Sequence, residues 1–217
     1  MLHERGIVRS RDLDRRGLDT KLLTRLRREG RIERRARGIY TLTDADLGER
    51  ETLLEVAARV PHGVICLLTA LSFHKLTTQN PAKVWLAIER NARAPRSRDL
   101  PLRVVRVSGA AFRSGVETHR INGVRVRVYD AAKTVVDCFK FRNKVGLDVA
   151  IEALRDYVRR RGTTTDALWR YARIDRVTRR LGWAIRRIKI HALDVNPTQA
   201  VARALHPAKR RSRKLGS

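Results

Sequence analysis

The feature that most constrains the fold is the order of short elements between residues 6 and 42, GIVRSRDLDRRGLDTKLLTRLRREGRIERRARGIYTL. Leucines at helical spacing predict a helix over residues 20–29, which Gly30 ends. Two β-like runs, RIERR and GIYTL, follow and are joined by Ala36-Arg37-Gly38. Each element is too short to bury its apolar side alone, so we expect them to fold together as one module.

A shorter helix is predicted upstream, over residues 11–16. Ser10 stands where it can cap this helix, Leu13 is its core anchor, and Gly17 supplies the corner before Asp19 caps the next helix. A short helix, a glycine corner, a second helix and a basic hairpin, in this order, are typical of a winged helix-turn-helix. Such a fold normally begins with a helix before GIV, where only MLHER stands. We therefore expect that this first helix is shortened or that the true start lies upstream.

The polar side of the 20–29 helix carries a stripe at i, i+3, i+4 and i+7. Long cationic side chains on such a stripe can reach phosphates and guanine edges, and a threonine can meet a phosphate or a thymine methyl. Arginines on the hairpin are expected to contact the DNA backbone or the minor groove. The predicted DNA-binding residues are Lys21, Thr24, Arg25 and Arg28 on the helix and Arg34, Arg35 and Arg37 on the hairpin.

The whole chain is strongly basic, with 217 residues and a net charge of +27. A polyanionic partner is therefore expected, either nucleic acid or an anionic membrane. No apolar run approaches the roughly 20 residues that span a bilayer, and no signal peptide precedes the first charges. Double-stranded DNA and a cytoplasmic location are favoured. Cys66 and Cys138 are predicted to be reduced core residues, and no metal or cofactor site is indicated.

The predicted fold class is α+β, in three parts. A winged helix-turn-helix occupies residues 1–45, a mixed α/β domain with a small sheet occupies 46–175, and a basic tail occupies 176–217.

The second domain is predicted to open with two helices, over GERETLLEVAARV and VICLLTALSFHKL. Strands follow over VWLAI, LRVVRVS, VETHRI and VRVRVYD, and helices over AAKTVVDCFKFRN, residues 147–158 and residues 164–172. Asn122-Gly123 predicts a tight hairpin turn, and Thr163 or Thr164 is expected to cap the last helix.

Two clusters look like chemical sites. Asp130, Lys133 and Asp137 superficially suggest the acid and base set of a nuclease, but Asp130 is placed to cap a helix and the other two form an i,i+4 pair.

The segment HKLTTQ at 74–79 could bind an anion or a nucleotide; we favour a polar helix end. His119 lies in a predicted strand without metal-ligand spacing. No catalytic residue is assigned, and the chain is not expected to be an enzyme.

The N-terminal module and three later segments resemble the AbiEi family of antitoxins and transcriptional regulators of type IV toxin–antitoxin systems. The later segments are LLTALSFHKLTTQNPAKVWLAI, DAAKTVVDCFKFRNKVGLDVAIEAL and TTTDALWRYARI, so the resemblance covers roughly residues 6–177. It implies a bacterial autorepressor whose winged helix binds operator repeats upstream of its own operon. It also implies that the second domain opposes a nucleotidyltransferase-like toxin without forming a stable complex with it.

Beyond about residue 176 the chain departs from that family. Residues 176–217 hold 12 Lys and Arg residues against one Asp, which suits an added DNA-backbone arm or a disordered terminus. The residues alone also leave two other functions open. One is a nuclease or nucleotide-modifying domain targeted by the winged helix, and the other is a non-specific basic nucleic-acid binder.

Overall fold

The computed structural model of the protein describes residues 7–10, 13, 17, 19, 21–36, 38–43, 51–95 and 100–195. These residues fall into two compact units that divide after Thr178. The first unit contains a three-stranded and a five-stranded sheet with helices between and around their strands. The mixed α/β architecture with small sheets is therefore confirmed for the described part of the chain.

The three-stranded sheet belongs to the N-terminal module. Its elements are β1 (Ile7–Arg9), α1 (Lys21–Arg28), β2 (Ile32–Ala36) and β3 (Ile39–Leu42). The predicted helix and hairpin are both present, with β2 antiparallel to β3. Strand β1 was not predicted; it pairs antiparallel with the other edge of β3. The helix predicted over residues 11–16 lies outside the described residues, except for its anchor Leu13, which is buried.

The module buries apolar side chains on two sides. Leucines of α1 pack with the hairpin in a small core that comprises Leu13, Leu23, Leu26, Ile32 and Leu42. Ile7 and Ile39 instead join a second core, shared with the helix and the sheet that follow. The hairpin is consequently attached to the rest of the first unit as well as to α1.

The five-stranded sheet has the strand order β6-β5-β4-β8-β7. Strands β5 and β6 are parallel, as are β4 and β8, whereas β4 and β5 and also β7 and β8 are antiparallel. In chain order the elements are α2 (Glu51–Arg59), β4 (Val64–Ile65), α3 (Leu67–Phe73), β5 (Val84–Glu89), β6 (Leu102–Val107), α4 (Gly109–Arg113), β7 (Val116–Ile121) and β8 (Val124–Tyr129). All four predicted strands are confirmed.

Up to residue 195, where the described part of the chain ends, five further helices follow the sheet, namely α5 (Ala131–Lys140), α6 (Arg142–Val145), α7 (Leu147–Arg159), α8 (Thr165–Asp175) and α9 (Thr178–Val195). Helix α5 packs against α3, α7 and α8, and its residues 132–139 are all buried. Helix α9 occupies the described beginning of the predicted basic tail. Thr164 lies at the N-cap position of α8, but its side chain makes no capping hydrogen bond.

One predicted helix is wrong in part. The run VICLLTALSFHKL does not form one helix, because Val64–Ile65 is the central strand β4 and the helix covers only Leu67–Phe73. Ile65 pairs with Leu86 on one side and with Val128 on the other. A short, fully apolar run has no alternation that would distinguish a buried strand from a buried helix, so tertiary pairing decides.

The turn between β7 and β8 confirms the hairpin prediction. Asn122 and Gly123 have φ values of 46° and 73°, as a two-residue turn with both centres in the left-handed region requires. Along β8, Val124, Val126 and Val128 are buried and alternate with the exposed or half-buried Arg125 and Arg127. The cysteines Cys66 and Cys138 are free and buried, as predicted.

Candidate nucleic-acid interface

Helix α1 presents one cationic side to solvent. The predicted residues Lys21, Thr24, Arg25 and Arg28, which we call the recognition stripe, are all exposed. On the opposite side of the helix, Leu23 and Leu26 are buried in the module core. The structure therefore brings the four predicted residues together on one accessible surface of a helix that is anchored from behind.

Both ends of α1 are fixed by local hydrogen bonds. The Asp19 carboxylate accepts from the Lys21 backbone N–H at 2.8 Å, which confirms the predicted cap. At the other end Gly30 adopts a φ of 69°, and the Arg31 N–H donates to the Leu26 carbonyl at 3.0 Å. Because glycine alone adopts this φ without penalty, the stripe ends on a defined turn.

Arg25 of the recognition stripe is only weakly held within the protein. Arg25 Nε lies 3.7 Å from Glu29 Oε1, and the two side chains are 70% and 45% exposed. An exposed pair of this kind contributes about 0–1 kcal/mol, because water and salt screen it. Arg25 can therefore exchange Glu29 for a phosphate or a base edge at little cost.

The hairpin places its arginines in different surroundings. Arg34 and Arg35 are exposed, but the Arg35 guanidinium lies 3.0 Å from Glu51 Oε1 at the start of α2. The Arg35 carbonyl also accepts from Arg59 Nη2 at 2.7 Å. Arg35 thus attaches the hairpin to α2, a role that sequence reasoning missed because Glu51 is distant in the chain. Arg37 lies outside the described residues.

A second polar cluster lies inside the α/β part and forms what we call the Lys133 network: Lys133, Asp137, Asp175 and Lys140. The Lys133 side chain is fully buried; its Nζ donates to Asp137 Oδ1 and, at 2.9 Å, to Asp175 Oδ2. Lys140 Nζ donates to Asp175 Oδ1 at 2.8 Å. Two ammonium groups and two carboxylates therefore balance each other between α5 and the end of α8.

Asp130 links the same two helices. Its Oδ1 accepts from the Lys133 N–H at 2.7 Å, which confirms the predicted cap of α5, and its Oδ2 accepts from the Tyr171 hydroxyl at 2.5 Å. Lys133 and Asp137 have almost no exposed surface. The three residues that suggested a nuclease set are thus occupied in holding helices together, and two of them are closed to a substrate.

Burial and charge shift the pKa values in the Lys133 network in opposite directions. Desolvation raises the pKa of Asp137 to about 7, although attraction by Lys133 opposes the rise. Desolvation also disfavours the charged form of Asp175, but Lys133 and Lys140 outweigh it and lower the pKa of that carboxyl. Lys133 is likewise desolvated, yet the two carboxylates hold its pKa above the ordinary value.

The raised pKa of Asp137 predicts a distinct pH dependence. Between about pH 4 and 7 the folded protein retains a proton that the unfolded chain has released, so the contribution of Asp137 to the free energy of unfolding falls as the pH rises. Asp137→Asn should remove this slope, which approaches about 1.4 kcal/mol per pH unit. Urea denaturation of both proteins at several pH values measures it. A stability difference that does not change with pH would contradict the assignment.

The position of Asp175 carried a signal that sequence reasoning overlooked. Leu168, Tyr171, Ala172 and Asp175 are all buried in α8, and their spacing of three and four residues places the acid on the apolar stripe of that helix. An acid on such a stripe needs a buried cation, and Lys133 is the corresponding charge on the buried part of α5.

The two histidines singled out in the sequence each lie within hydrogen-bonding distance of an oxygen atom of the protein. His74 Nε2 lies 2.7 Å from the Tyr129 carbonyl oxygen, and His119 Nε2 lies 3.1 Å from Glu117 Oε2. In the described ranges, no group of three or more His, Cys, Asp or Glu side chains is arranged to hold a metal ion. The helices that the structure describes include none long and apolar enough to span a membrane.

Comparison with known proteins supports the interpretation of the N-terminal module. A model of the family described as transcriptional regulator, AbiEi antitoxin, matches residues 2–43. The family resemblance is confirmed for this segment, which contains α1 and the hairpin. A search of curated proteins finds no match to the chain.

A solved structure has a similar fold. The chain is similar to the RV2827C protein from Mycobacterium tuberculosis, with a TM-score of 0.53 and 15% sequence identity. The alignment covers 76% of this chain, which spans 66% of the length of that protein. At this identity the similarity concerns the fold alone.

Proposed function

We propose that the protein is a DNA-binding transcriptional regulator that represses its own operon, with residues 1–45 acting as a winged helix-turn-helix. The observation that carries this proposal is the recognition stripe: four exposed side chains on a helix whose opposite side is buried against the hairpin. A helix supported in this way can enter the major groove, while the hairpin lies along the backbone. The match of residues 2–43 to AbiEi regulators supports the same assignment.

The net charge of +27 also supports a polyanionic partner such as DNA. Contacts to phosphate supply affinity that depends steeply on salt, whereas the recognition stripe supplies sequence choice. We expect the target to be operator repeats upstream of the protein's own operon. Electrophoretic shift and footprinting on that region test this, with an unrelated duplex of equal length as the control.

The role proposed for Arg34 gives a prediction about salt. Arg34 is exposed on β2. Arg34→Ala should lower the magnitude of the slope of log affinity against log salt by roughly one, since one phosphate contact is lost. Titration of fluorescent operator DNA between about 50 and 200 mM salt measures the slope. An unchanged slope would remove Arg34 from the phosphate contacts.

We further propose that the α/β region acts as the antitoxin of a type IV toxin–antitoxin system and opposes a nucleotidyltransferase-like toxin without a stable complex. The AbiEi match of the adjoining module supports this assignment. The test is growth of bacteria that express such a toxin from the neighbouring gene, with and without the protein. A variant with Arg25→Ala and Arg28→Ala should still restore growth, because these residues serve DNA binding. Failure of both proteins to restore growth would overturn the antitoxin assignment.

A further inference from the structure

A polar cavity of about 630 Å³ lies beside the five-stranded sheet. Its wall is built from the start of α2, the end of α3, the connection that follows α3 and the start of β5. This volume lies within the range of small-molecule sites in proteins. From the 74–79 segment, residues 75 and 77–79 line the cavity. The His74 side chain instead contacts the Tyr129 carbonyl.

The lining of this cavity favours an anionic ligand. Lys75 supplies a positive charge, and none of the described residues that line the cavity carries a carboxylate. Hydroxyl groups of Thr52, Ser72 and Thr78 and the amide of Gln79 add hydrogen-bond donors. An ammonium group with several hydroxyls suits a tetrahedral anion with many acceptor oxygens, and the apolar remainder of the wall suits an organic body.

The end of α3 sets the backbone conformation of Lys75. Lys75 has a φ of 55°, in the left-handed region that favours glycine. The Lys75 N–H donates to the Ser72 carbonyl at 3.0 Å and the Leu76 N–H donates to the Leu71 carbonyl at 2.8 Å. This is the hydrogen-bond pattern of a helix end at which glycine is preferred. The helix end therefore accounts for the left-handed backbone of Lys75, as the same pattern does for Arg176 at the end of α8.

Thr69 adds a buried hydroxyl to the same wall. The residue is 7% exposed, and its Oγ1 accepts from the Trp85 N–H at 2.9 Å. Thr69 is also among the residues that line the cavity.

We propose that this cavity binds a nucleoside monophosphate, with Lys75 at the phosphate and the hydroxyl and amide side chains around the organic body. A free phosphate ion would occupy only a small part of 630 Å³. The apolar portion of the wall, which includes Pro81 and Ala82, offers contact to a base. The site is separate from the recognition stripe, and its occupancy can be measured without DNA.

The test is calorimetric titration of the full chain with AMP, GMP, CMP and UMP, beside the corresponding nucleosides and inorganic phosphate, at about 0.15 M salt. We expect at least one monophosphate to bind at least ten times more tightly than its nucleoside and than inorganic phosphate. Equal affinity for inorganic phosphate would overturn the nucleotide assignment. Failure of all four monophosphates to bind at millimolar concentration would overturn the site.

Lys75→Gly separates binding from folding. This variant removes the charge and also relieves the left-handed backbone, so its melting temperature should rise while its affinity for the monophosphate falls at least tenfold. Arg176→Gly is the matched control, because Arg176 is an exposed cation with a φ of 57° at the end of α8. It should melt higher and bind as the unmodified protein does. Equal losses of affinity in the two variants would show that net charge attracts the nucleotide, and would overturn the cavity.

Discussion

Lys133→Met is expected to lower the free energy of unfolding by about 3–5 kcal/mol, the usual result of removing one partner from a buried ion pair. The Lys133 side chain has no exposed surface, and its ammonium group holds Asp137 and Asp175 together. Methionine fills a similar volume but leaves these carboxylates without their shared cation. Urea denaturation at pH 7 measures the loss. A loss below about 1 kcal/mol would mean that the network contributes little to stability.

Two companion variants identify the cause of that loss. Lys140→Met removes the other cation, whose side chain is 30% exposed and which contacts Asp175 alone within the network. It should therefore cost less than Lys133→Met. Lys133→Met combined with Asp137→Leu should recover much of the stability, because a buried ion pair can often be replaced by apolar residues without loss. A double variant that is less stable than Lys133→Met would contradict the charge explanation.

Arg25→Ala and Arg28→Ala should each weaken binding to the operator by about 5- to 150-fold, equivalent to about 1–3 kcal/mol. Both arginines are exposed on the recognition stripe, and α1 is anchored from behind by Leu23 and Leu26. Removal of an exposed side chain from such a helix should leave the fold intact. Circular dichroism and thermal melting check that condition, and fluorescence anisotropy with operator DNA measures the affinity.

Arg27→Ala is the matched control for these variants. Arg27 lies on the same helix, carries the same charge and is also exposed, but it falls outside the i, i+3, i+4, i+7 spacing. Its removal should lower the affinity for operator and unrelated DNA by similar factors, whereas Arg25→Ala and Arg28→Ala should reduce the preference between them. If all three variants behave alike, the stripe contributes only charge and does not read sequence.

Local signals in the sequence were sufficient for much of the fold. The Asn122-Gly123 turn, the alternation of valine and arginine in β8 and the caps at Asp19 and Asp130 each have a short-range cause, and each is present in the structure. The hairpin beside α1 follows from its two short β-like runs and the glycine between them in the same way.

Such local signals do not predict pairing between elements that are far apart in the chain. Strand β4 is only two residues long, and its central place depends on partners about 20 and 60 residues away. Strand β1 likewise exists because β3 offers a free edge. The ion pair of Lys133 with Asp175 could not be predicted either, because Asp175 lies in another helix, far away in the chain. The recognition stripe, in contrast, follows from the period of one helix and could be named from the sequence.

The central claim is that the N-terminal module reads a DNA sequence and does not merely attract polyanions. The most direct test is the ratio of dissociation constants for the upstream region of the protein's own operon and an unrelated duplex of equal length, measured at about 0.15 M salt. We predict a ratio of at least about 10³ in favour of the upstream region. Equal affinity for the two duplexes would contradict sequence-specific repression and leave a basic protein that binds nucleic acid without choice.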